Sequence, residues 1–308
     1  MPEPFDRPEI VDAAEAWASE GAWVDGPNGA VWYARFPAAS DVGNPPLLVL
    51  HGFPTCAFDW RPVLPALRAE RDVVVVDVHG FGLSDKPDHR YSIRGYADDV
   101  EAVIGALGLA EVDLITHDMG DTIGGELLAR SLDGTLGLRF RRRVVTNGSI
   151  YIDMAQLTLG QQVLLGLPDE ANELVATDGG TAYRAGVVGT FAPDTPIDDA
   201  TDLDLDVTVH LAVRSGGLAL LPRTIRYIED RRAEERRFTG AIESHPSPVG
   251  IVWGALDPVA VHAMAEKLVA ARPGTPLITL DGVGHYPMVE AADRFSVAVL
   301  DLLDHRLA

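Results

Sequence analysis

Cysteine and positive charge are the two features that this sequence has least of. Cys56 is the single cysteine among 308 residues, so a framework of internal disulfides is excluded. Lysine and arginine total 25 against 46 aspartate and glutamate residues, which gives a net charge of −21. An acidic surface repels nucleic acid and anionic membranes. We therefore expect neither of them as a partner.

Targeting and membrane segments are also missing from the sequence. The N-terminal stretch MPEPFDRPEIVDAAEAW has neither a basic start nor an apolar run, so no signal peptide is predicted. No apolar stretch is long enough to span a bilayer. These absences predict a soluble, cytoplasmic protein, and they leave monomer and homodimer equally open.

What the sequence does contain is a regular alternation of strand and helix patterns. A hairpin is predicted around the turn Pro27-Asn28-Gly29. Helices are predicted near 60–70, at 93–109 with Ser92 as the cap, and at 119–131. Continuous apolar runs, typical of strands buried on both faces of a parallel sheet, occupy 46–52, 72–80, 112–118, 142–149, 248–257 and 276–285.

The alternation is interrupted once, by a long segment of helical pattern. The simplest architecture is an α/β class fold, a mostly parallel sheet flanked by helices, with one helical insertion. The predicted domains are a core at 1–149 and 244–308 and a helical cap at 150–243. The cap would lie over the carboxyl ends of the strands, where ligands bind in open α/β sheets.

Side chains with catalytic chemistry follow the predicted strands. Asp118, in LITHDMGDT, stands at a strand–turn–helix junction, where a nucleophile elbow usually has serine. Asp257 and His285 follow later strands, in the chain order nucleophile, acid, histidine. One carboxylate would then attack while the other orients the imidazole. The alternatives are a helix cap for Asp118, a turn before Pro258 for Asp257, and Asp281 as the acid.

The motifs HGFPTCAFDW, DVHGFGLSDKPDHRYSI, LITHDMGDT, GALDPV and GVGHYPMVE together carry a resemblance to a known family. The chain resembles α/β-hydrolases of the epoxide hydrolase and haloalkane dehalogenase group, over nearly its whole length and least in the insertion. With NGSI after the fourth parallel strand, it is similar to the mesoderm-specific transcript proteins and their bacterial relatives. The resemblance implies the α/β-hydrolase fold, an aspartate nucleophile, and no cofactor or metal.

An aspartate nucleophile suits attack on carbon that is not a carbonyl. Attack on an epoxide or a haloalkane leaves an alkyl ester on Asp118, whereas attack on an ester would leave a labile anhydride. His285 could then activate a water that hydrolyses the alkyl ester. The N–H groups of Phe53 and Met119 are the candidate donors to the oxyanion formed in that step.

The leaving group separates the two activities of the family. Dehalogenases of this group typically have a tryptophan just after the nucleophile and often an asparagine just after HG. Met119 and Phe53 occupy those positions, and neither side chain donates an N–H. Trp60 is the remaining candidate donor to a halide, although packing in the core is the favoured interpretation.

An epoxide needs an acid for its leaving oxygen. Epoxide hydrolases of this group use tyrosines from the cap. The resemblance points to Tyr227, and Tyr183 is preferred to Tyr151 as its partner. We therefore predict a hydrolase that opens a small apolar epoxide with water. The alternatives are a haloalkane dehalogenase acting on a halide-bearing substrate and a non-catalytic, ligand-binding member of the fold.

Eight further histidines compete with His285. His51 and His117 are expected to brace the oxyanion loop and the elbow, and His79 to pack or hydrogen-bond. The others are expected at the surface: His89, His210, His245, His262 and His305.

Overall fold

An eight-stranded sheet lies at the centre of the part of the chain that the computed structural model describes, residues 4–40 and 42–304. His305 lies outside the described residues. The order across the sheet is β1-β2-β4-β3-β5-β6-β7-β8. Strand β2 pairs antiparallel with both of its neighbours, β1 and β4, and all the other pairs are parallel. The strands are β1 Gly21–Gly26, β2 Gly29–Phe36, β3 Leu47–Leu50, β4 Val73–Val76, β5 Glu111–His117, β6 Arg139–Thr146, β7 Val249–Gly254 and β8 Leu277–Leu280.

Helices cover the sheet and fill the interval between β6 and β7. Short 3₁₀ segments occupy Ala57–Val63, Glu173–Ala176 and Arg214–Leu220. The α-helices are α1 Pro8–Ser19, α2 Leu64–Leu67, α3 Ile93–Leu107, α4 Met119–Leu132, α5 Leu159–Gly166, α6 Thr181–Val188, α7 Asp199–Val213, α8 Leu221–Thr224, α9 Tyr227–Ser244, α10 Ala263–Ala271, α11 Pro287–Glu290 and α12 Ala292–Asp304.

The central strands form where the sequence is continuously apolar. Every residue of β3 and β4 is buried, as expected for strands covered by helices on both faces. The predicted hairpin is confirmed, since β1 pairs with β2 across Pro27 and Asn28. The predicted cap is confirmed as well, because the Ser92 hydroxyl accepts the N–H of Gly95 (3.1 Å).

The helix predicted near 60–70 is confirmed only in part, and helix α1 was not predicted. The segment 60–70 is a 3₁₀ turn followed by the single turn of α2, because Pro62 has no N–H to donate within an α-helix. In the amphipathic helix α1, Ile10, Ala14 and Trp17 are buried at helical spacing, and Trp17 packs against the rings of Trp32 and Phe36.

The described residues between β6 and β7 contain helices α5 to α9 and no strand. The last of these helices, α9, packs along α4, where a Cβ on Gly125 would come within 2.7 Å of the Phe238 carbonyl oxygen. This close approach holds α9 against α4 of the core. The division into a core and a cap at 150–243 stays a prediction. Among the described residues, no helix combines the length and apolarity needed to cross a membrane.

Candidate active site

Asp118 occupies a strained turn between β5 and α4. Its backbone has φ 49° and ψ −113°, a conformation that residues other than glycine adopt rarely and at a cost in free energy. The turn is possible because Gly120 lies against β3, where a Cβ would come within 2.7 Å of the carbonyl oxygens of Leu50 and His51. The elbow therefore presents Asp118 at the carboxyl edge of the sheet, where the sequence predicted it.

The two carboxylate oxygens of Asp118 have different surroundings. Oδ2 accepts the backbone N–H of Phe53 at 2.9 Å, and Gly52 allows this approach because a Cβ there would lie 2.5 Å from the Asp118 Cβ. Oδ1 is buried and has no hydrogen-bond partner among the described residues. Met119 begins α4, and the first N–H groups of a helix have no acceptor within it. One oxygen is thus held by the predicted oxyanion loop and the other is free.

His285 faces Asp118 on one side and Asp257 on the other. Its Nε2 lies 4.0 Å from Asp118 Oδ1, and its Nδ1–H donates to Asp257 Oδ2 at 2.8 Å. Asp257 Oδ1 accepts the N–H groups of Val259 and Ala260. Asp257 therefore both stabilises the turn before Val259 and is the partner of the imidazole. The alternative acid, Asp281, is exposed.

The surrounding charges favour the protonated form of His285. Burial opposes the charge, but the Asp257 carboxylate, its hydrogen bond and then the Asp118 carboxylate outweigh burial and raise the pKa of His285 to about 9. Asp257 thus fixes the ring so that Nε2 faces the elbow, and it stabilises the imidazolium.

Asn147 and Glu290 hold this arrangement and were not predicted to have a role in it. The amide of Asn147 donates to Asp257 Oδ2 (2.7 Å) and to the Gly284 carbonyl (3.2 Å). Glu290 accepts the N–H groups of Gly284 and Tyr286, on either side of His285. The only sequence signal was the position of Asn147 at the end of a strand, beside the other candidates.

The competing histidines have structural contacts. His117 donates to the carbonyl of His285 (2.8 Å), and His51 donates to the carbonyl of Gly52 (2.9 Å). Burial and then the charge of His285 lower the pKa of His117 to about 4, so it is neutral. His79 pairs with Asp99. His245 was expected at the surface, but it is buried and bonded to Ser247.

A cavity of about 630 Å³ opens above the site and is enclosed mainly by the helical insertion. Phe53, His285 and Tyr286 belong to its wall, and Asp118, with 1% of its surface exposed, lies next to them. Tyr286 was not predicted. Its ring meets those of His285 and His117 edge-on or tilted at about 5 Å. The cavity therefore ends at the oxyanion loop and the histidine.

The candidate tyrosines occupy three different places. Tyr227 is buried with its ring 5.6 Å from that of Phe53, and burial and the Asp118 charge raise its pKa. Tyr183 lines the cavity, and its hydroxyl donates to the Pro54 carbonyl (3.0 Å). Tyr151 donates instead to Glu243.

Trp60, the alternative halide donor, is fully buried. Its ring packs against those of His117 and Phe295, and it is not part of the cavity wall. This position agrees with the predicted role in core packing.

Comparison with known proteins gives matches over most of the chain. Residues 47–298 match the alpha/beta hydrolase family. The hydrolase LipZ of Mycobacterium tuberculosis is 36% identical over 289 residues, which cover 93% of this chain and 96% of that protein. The mesoderm-specific transcript homolog protein of Homo sapiens is 30% identical over 293 residues, 92% of this chain and 85% of that protein. The predicted resemblance to α/β-hydrolases and to the mesoderm-specific transcript proteins is confirmed.

The fold is likewise shared with solved structures. The epoxide hydrolase CorEH superposes with a TM-score of 0.72, covering 93% of this chain and 99% of that one, at 18% sequence identity. At this identity the likeness concerns the fold and not the reaction.

Proposed function

This chain belongs to the alpha/beta hydrolase family, and from that premise we propose that it opens an epoxide to a vicinal diol through an ester on Asp118. The proposal needs no cofactor, because Asp118, His285, Asp257 and backbone donors supply the groups that the reaction uses. Its substrate is a small apolar epoxide together with water.

The observation that carries the proposal is the unequal environment of the Asp118 oxygens. In a serine elbow, the oxyanion donors bind an oxygen of the substrate. In this chain the Phe53 N–H binds the nucleophile's own Oδ2, and Oδ1 is left without a hydrogen bond among the described residues. This is the arrangement that an attacking carboxylate needs, since one oxygen attacks and the other later becomes the oxyanion.

In the first step, Oδ1 of Asp118 forms a bond to one epoxide carbon and the ring C–O bond breaks. The leaving oxygen takes a proton from Tyr227, whose raised pKa keeps it protonated until then. Tyr183 is proposed as a second donor, and to act it must give up its bond to the Pro54 carbonyl. The product of this step is a hydroxyalkyl ester on Asp118.

In the second step, His285 accepts a proton from a water that attacks the carboxyl carbon of the ester. The negative charge develops on Oδ2, where the N–H groups of Phe53 and Met119 stabilise it. The intermediate collapses with cleavage of the bond between the carboxyl carbon and the alkyl oxygen, and that oxygen takes the proton back from His285 and leaves as the diol. The carboxylic acid of Asp118 then ionises, and its proton restores Tyr227. Asp257 stabilises the imidazolium throughout this step.

The alternatives have less support. A halide needs N–H donors beside the nucleophile, and the indole of Trp60 packs in the core against His117 and Phe295. A purely ligand-binding protein does not need Asp257 and His285 to be hydrogen-bonded beside a strained carboxylate. A serine esterase needs a hydroxyl at the elbow, where this chain has Asp118.

The test is product analysis with matched variants. Purified protein is given aryl and aliphatic epoxides beside bromoalkanes, and diol and bromide are measured. Asp118→Ala should abolish diol formation, and His285→Gln should accumulate the ester as a mass increase on the protein. In ¹⁸O-water with enzyme in excess, the label should enter Asp118 and not the diol of the first turnover. Label in the first diol, or turnover by Asp118→Ala, would overturn the mechanism. Bromide without diol would favour the dehalogenase.

A further inference from the structure

Helix α5 is an apolar helix without a single buried residue. Its sequence is LGQQVLLG, and a capping box formed by Thr158 and Gln161 determines where it begins. Leu159 is 77% exposed and Val163 is 57% exposed. A helix of this composition normally gains its stability by burying its apolar face. Leu164 and Leu165 pack in part against the core, whereas Leu159 and Val163 are left largely without protein cover in the described structure.

The uncovered apolar side chains border the cavity. Leu159 and Val163 line it from α5, and Leu174, which is 78% exposed, lines it from the neighbouring 3₁₀ segment. Clustered apolar side chains around a concave opening are typical of a binding groove, whereas scattered ones are ordinary surface. A ligand lying along α5 would provide the missing cover.

The cavity wall has no unpaired positive charge for an anionic group among the described residues. Within residues 4–40 and 42–304, no lysine or arginine lines the cavity. Asp178 is its one carboxylate, and both of its oxygens already accept backbone N–H groups, from Gly180 (3.0 Å) and Ala182 (2.7 Å). The positive charge of His285, at the far end, is paired with two carboxylates. The chain's net charge of −21 repels anions further.

We propose that the substrate is an uncharged molecule with an extended alkyl chain. Its reactive end lies against Phe53 and His285, and its chain passes along α5 to Leu174 at the rim. The identity of the reactive end rests on the proposed epoxide hydrolysis, whereas the alkyl chain and the absence of charge rest on the cavity. About 630 Å³ lies within the range of roughly 300–1,000 Å³ that binds molecules of drug size.

Binding is measured first, because it does not depend on turnover. The full chain is titrated in a calorimeter with octan-1-ol, butan-1-ol and octanoate. Each buried methylene is expected to tighten binding by about two- to fourfold, so octan-1-ol should bind far more tightly than butan-1-ol. Octanoate should bind at least about tenfold more weakly than octan-1-ol, because burying its charge is costly.

Variants then test the position of the chain. Val163→Thr replaces a lining methyl by a hydroxyl of the same shape and should weaken octan-1-ol binding by about three- to tenfold while leaving butan-1-ol unaffected. Val297→Thr is the matched control, since Val297 is 61% exposed on α12 and is not part of the cavity wall. Terminal epoxides of increasing length should show the same dependence in kcat/KM.

The outcomes separate the two proposals. Three results together support the substrate class. Octan-1-ol binds more tightly than octanoate, the advantage of octan-1-ol over butan-1-ol shrinks in Val163→Thr, and that advantage is kept in Val297→Thr. If the same protein turns over no epoxide of any length, the reaction is wrong and the substrate class stands. Equal binding of octanol and octanoate, or epoxide turnover that does not depend on chain length, overturns the substrate class and leaves the reaction standing.

Discussion

Glu290 connects the loop that carries His285 to the helical insertion, and Glu290→Gln is expected to loosen this connection. Its Oε1 accepts the N–H of Tyr286 (2.9 Å). Its Oε2 accepts the N–H groups of Gly284 (2.9 Å) and Ala192 (2.8 Å) and the hydroxyl of Thr195 (2.8 Å). All four partners are donors, whereas a glutamine has one acceptor oxygen and an NH₂ group that is itself a donor.

The size of the effect follows from the best placement of the glutamine. Its oxygen would replace Oε2 and keep three bonds, while its NH₂ would face the N–H of Tyr286. One hydrogen bond to a charged group contributes about 1.5–3 kcal/mol, and the other bonds lose their charge assistance. We expect the free energy of unfolding to fall by about 2–3 kcal/mol, which lowers Tm by about 3–6 °C in a chain of this size.

Calorimetry and epoxide turnover check this prediction together. Glu290→Gln should lower Tm and also kcat, because the loop holds His285 opposite Asp118. Glu15→Gln on α1 is the same substitution at an exposed position, and it should change neither quantity. A Glu290→Gln protein with the Tm and kcat of the parent would refute the reasoning that four donors require a carboxylate.

Three further predictions concern the neighbouring residues. Asn147→Ala leaves buried partners of its amide unsatisfied, at about 1–3 kcal/mol each, and should lower both the midpoint of urea unfolding and turnover; Asn147→Ser should recover part of each. The folded pKa of His285, about 9, lies above its ordinary 6.5. Its protonated form therefore adds stability that is fully present below pH 6.5 and lost as pH rises through about 9; Asp257→Asn should flatten this loss, measured by unfolding in urea across that interval. Tyr227→Phe should reduce epoxide opening by about 100-fold or more without preventing ligand binding; an unchanged single-turnover rate would exclude Tyr227 as the acid.

The parts of the molecule that could be predicted are those that local sequence determines. Continuous apolar runs predict buried strands. A serine directly before a helical pattern predicts a cap, and the Ser92 hydroxyl accepts the N–H of Gly95. The order Asp118, Asp257, His285 predicts a shared edge because the carboxyl ends of parallel strands meet there. For these residues the chain order and the strand pattern were enough.

The parts that were missed depend on contacts between distant segments. Glu290 meets Ala192 from 98 residues away, and Asn147 meets Asp257 from 110 residues away. No local pattern distinguishes Glu290 from a solvated carboxylate, and the position of Asn147 at a strand end does not indicate its partner. Tyr286 was not predicted either, because the resemblance implies tyrosines of the insertion. Tyr286 lines the cavity because it directly follows His285 and its ring packs against the imidazole.

The charge of His285 has a consequence for the two steps of the proposed reaction. With a pKa of about 9, His285 is mostly protonated at neutral pH and cannot accept a proton from water. Burial opposes that charge, while Asp257 and then Asp118 maintain it. Ester formation neutralises Asp118 and removes its contribution, so the pKa of His285 falls at the point when a base is needed.

This coupling predicts different pH dependences for ester formation and ester hydrolysis. Attack by Asp118 does not require neutral His285, so its rate should change little between pH 6.5 and 8. Hydrolysis should accelerate with pH and level off below pH 9, the value for the free enzyme, because the relevant pKa is that of the esterified protein. Rapid quenching followed by intact-protein mass measurement resolves the two rates. A hydrolysis rate that keeps rising until pH 9 would mean that neutralising Asp118 does not affect the imidazole.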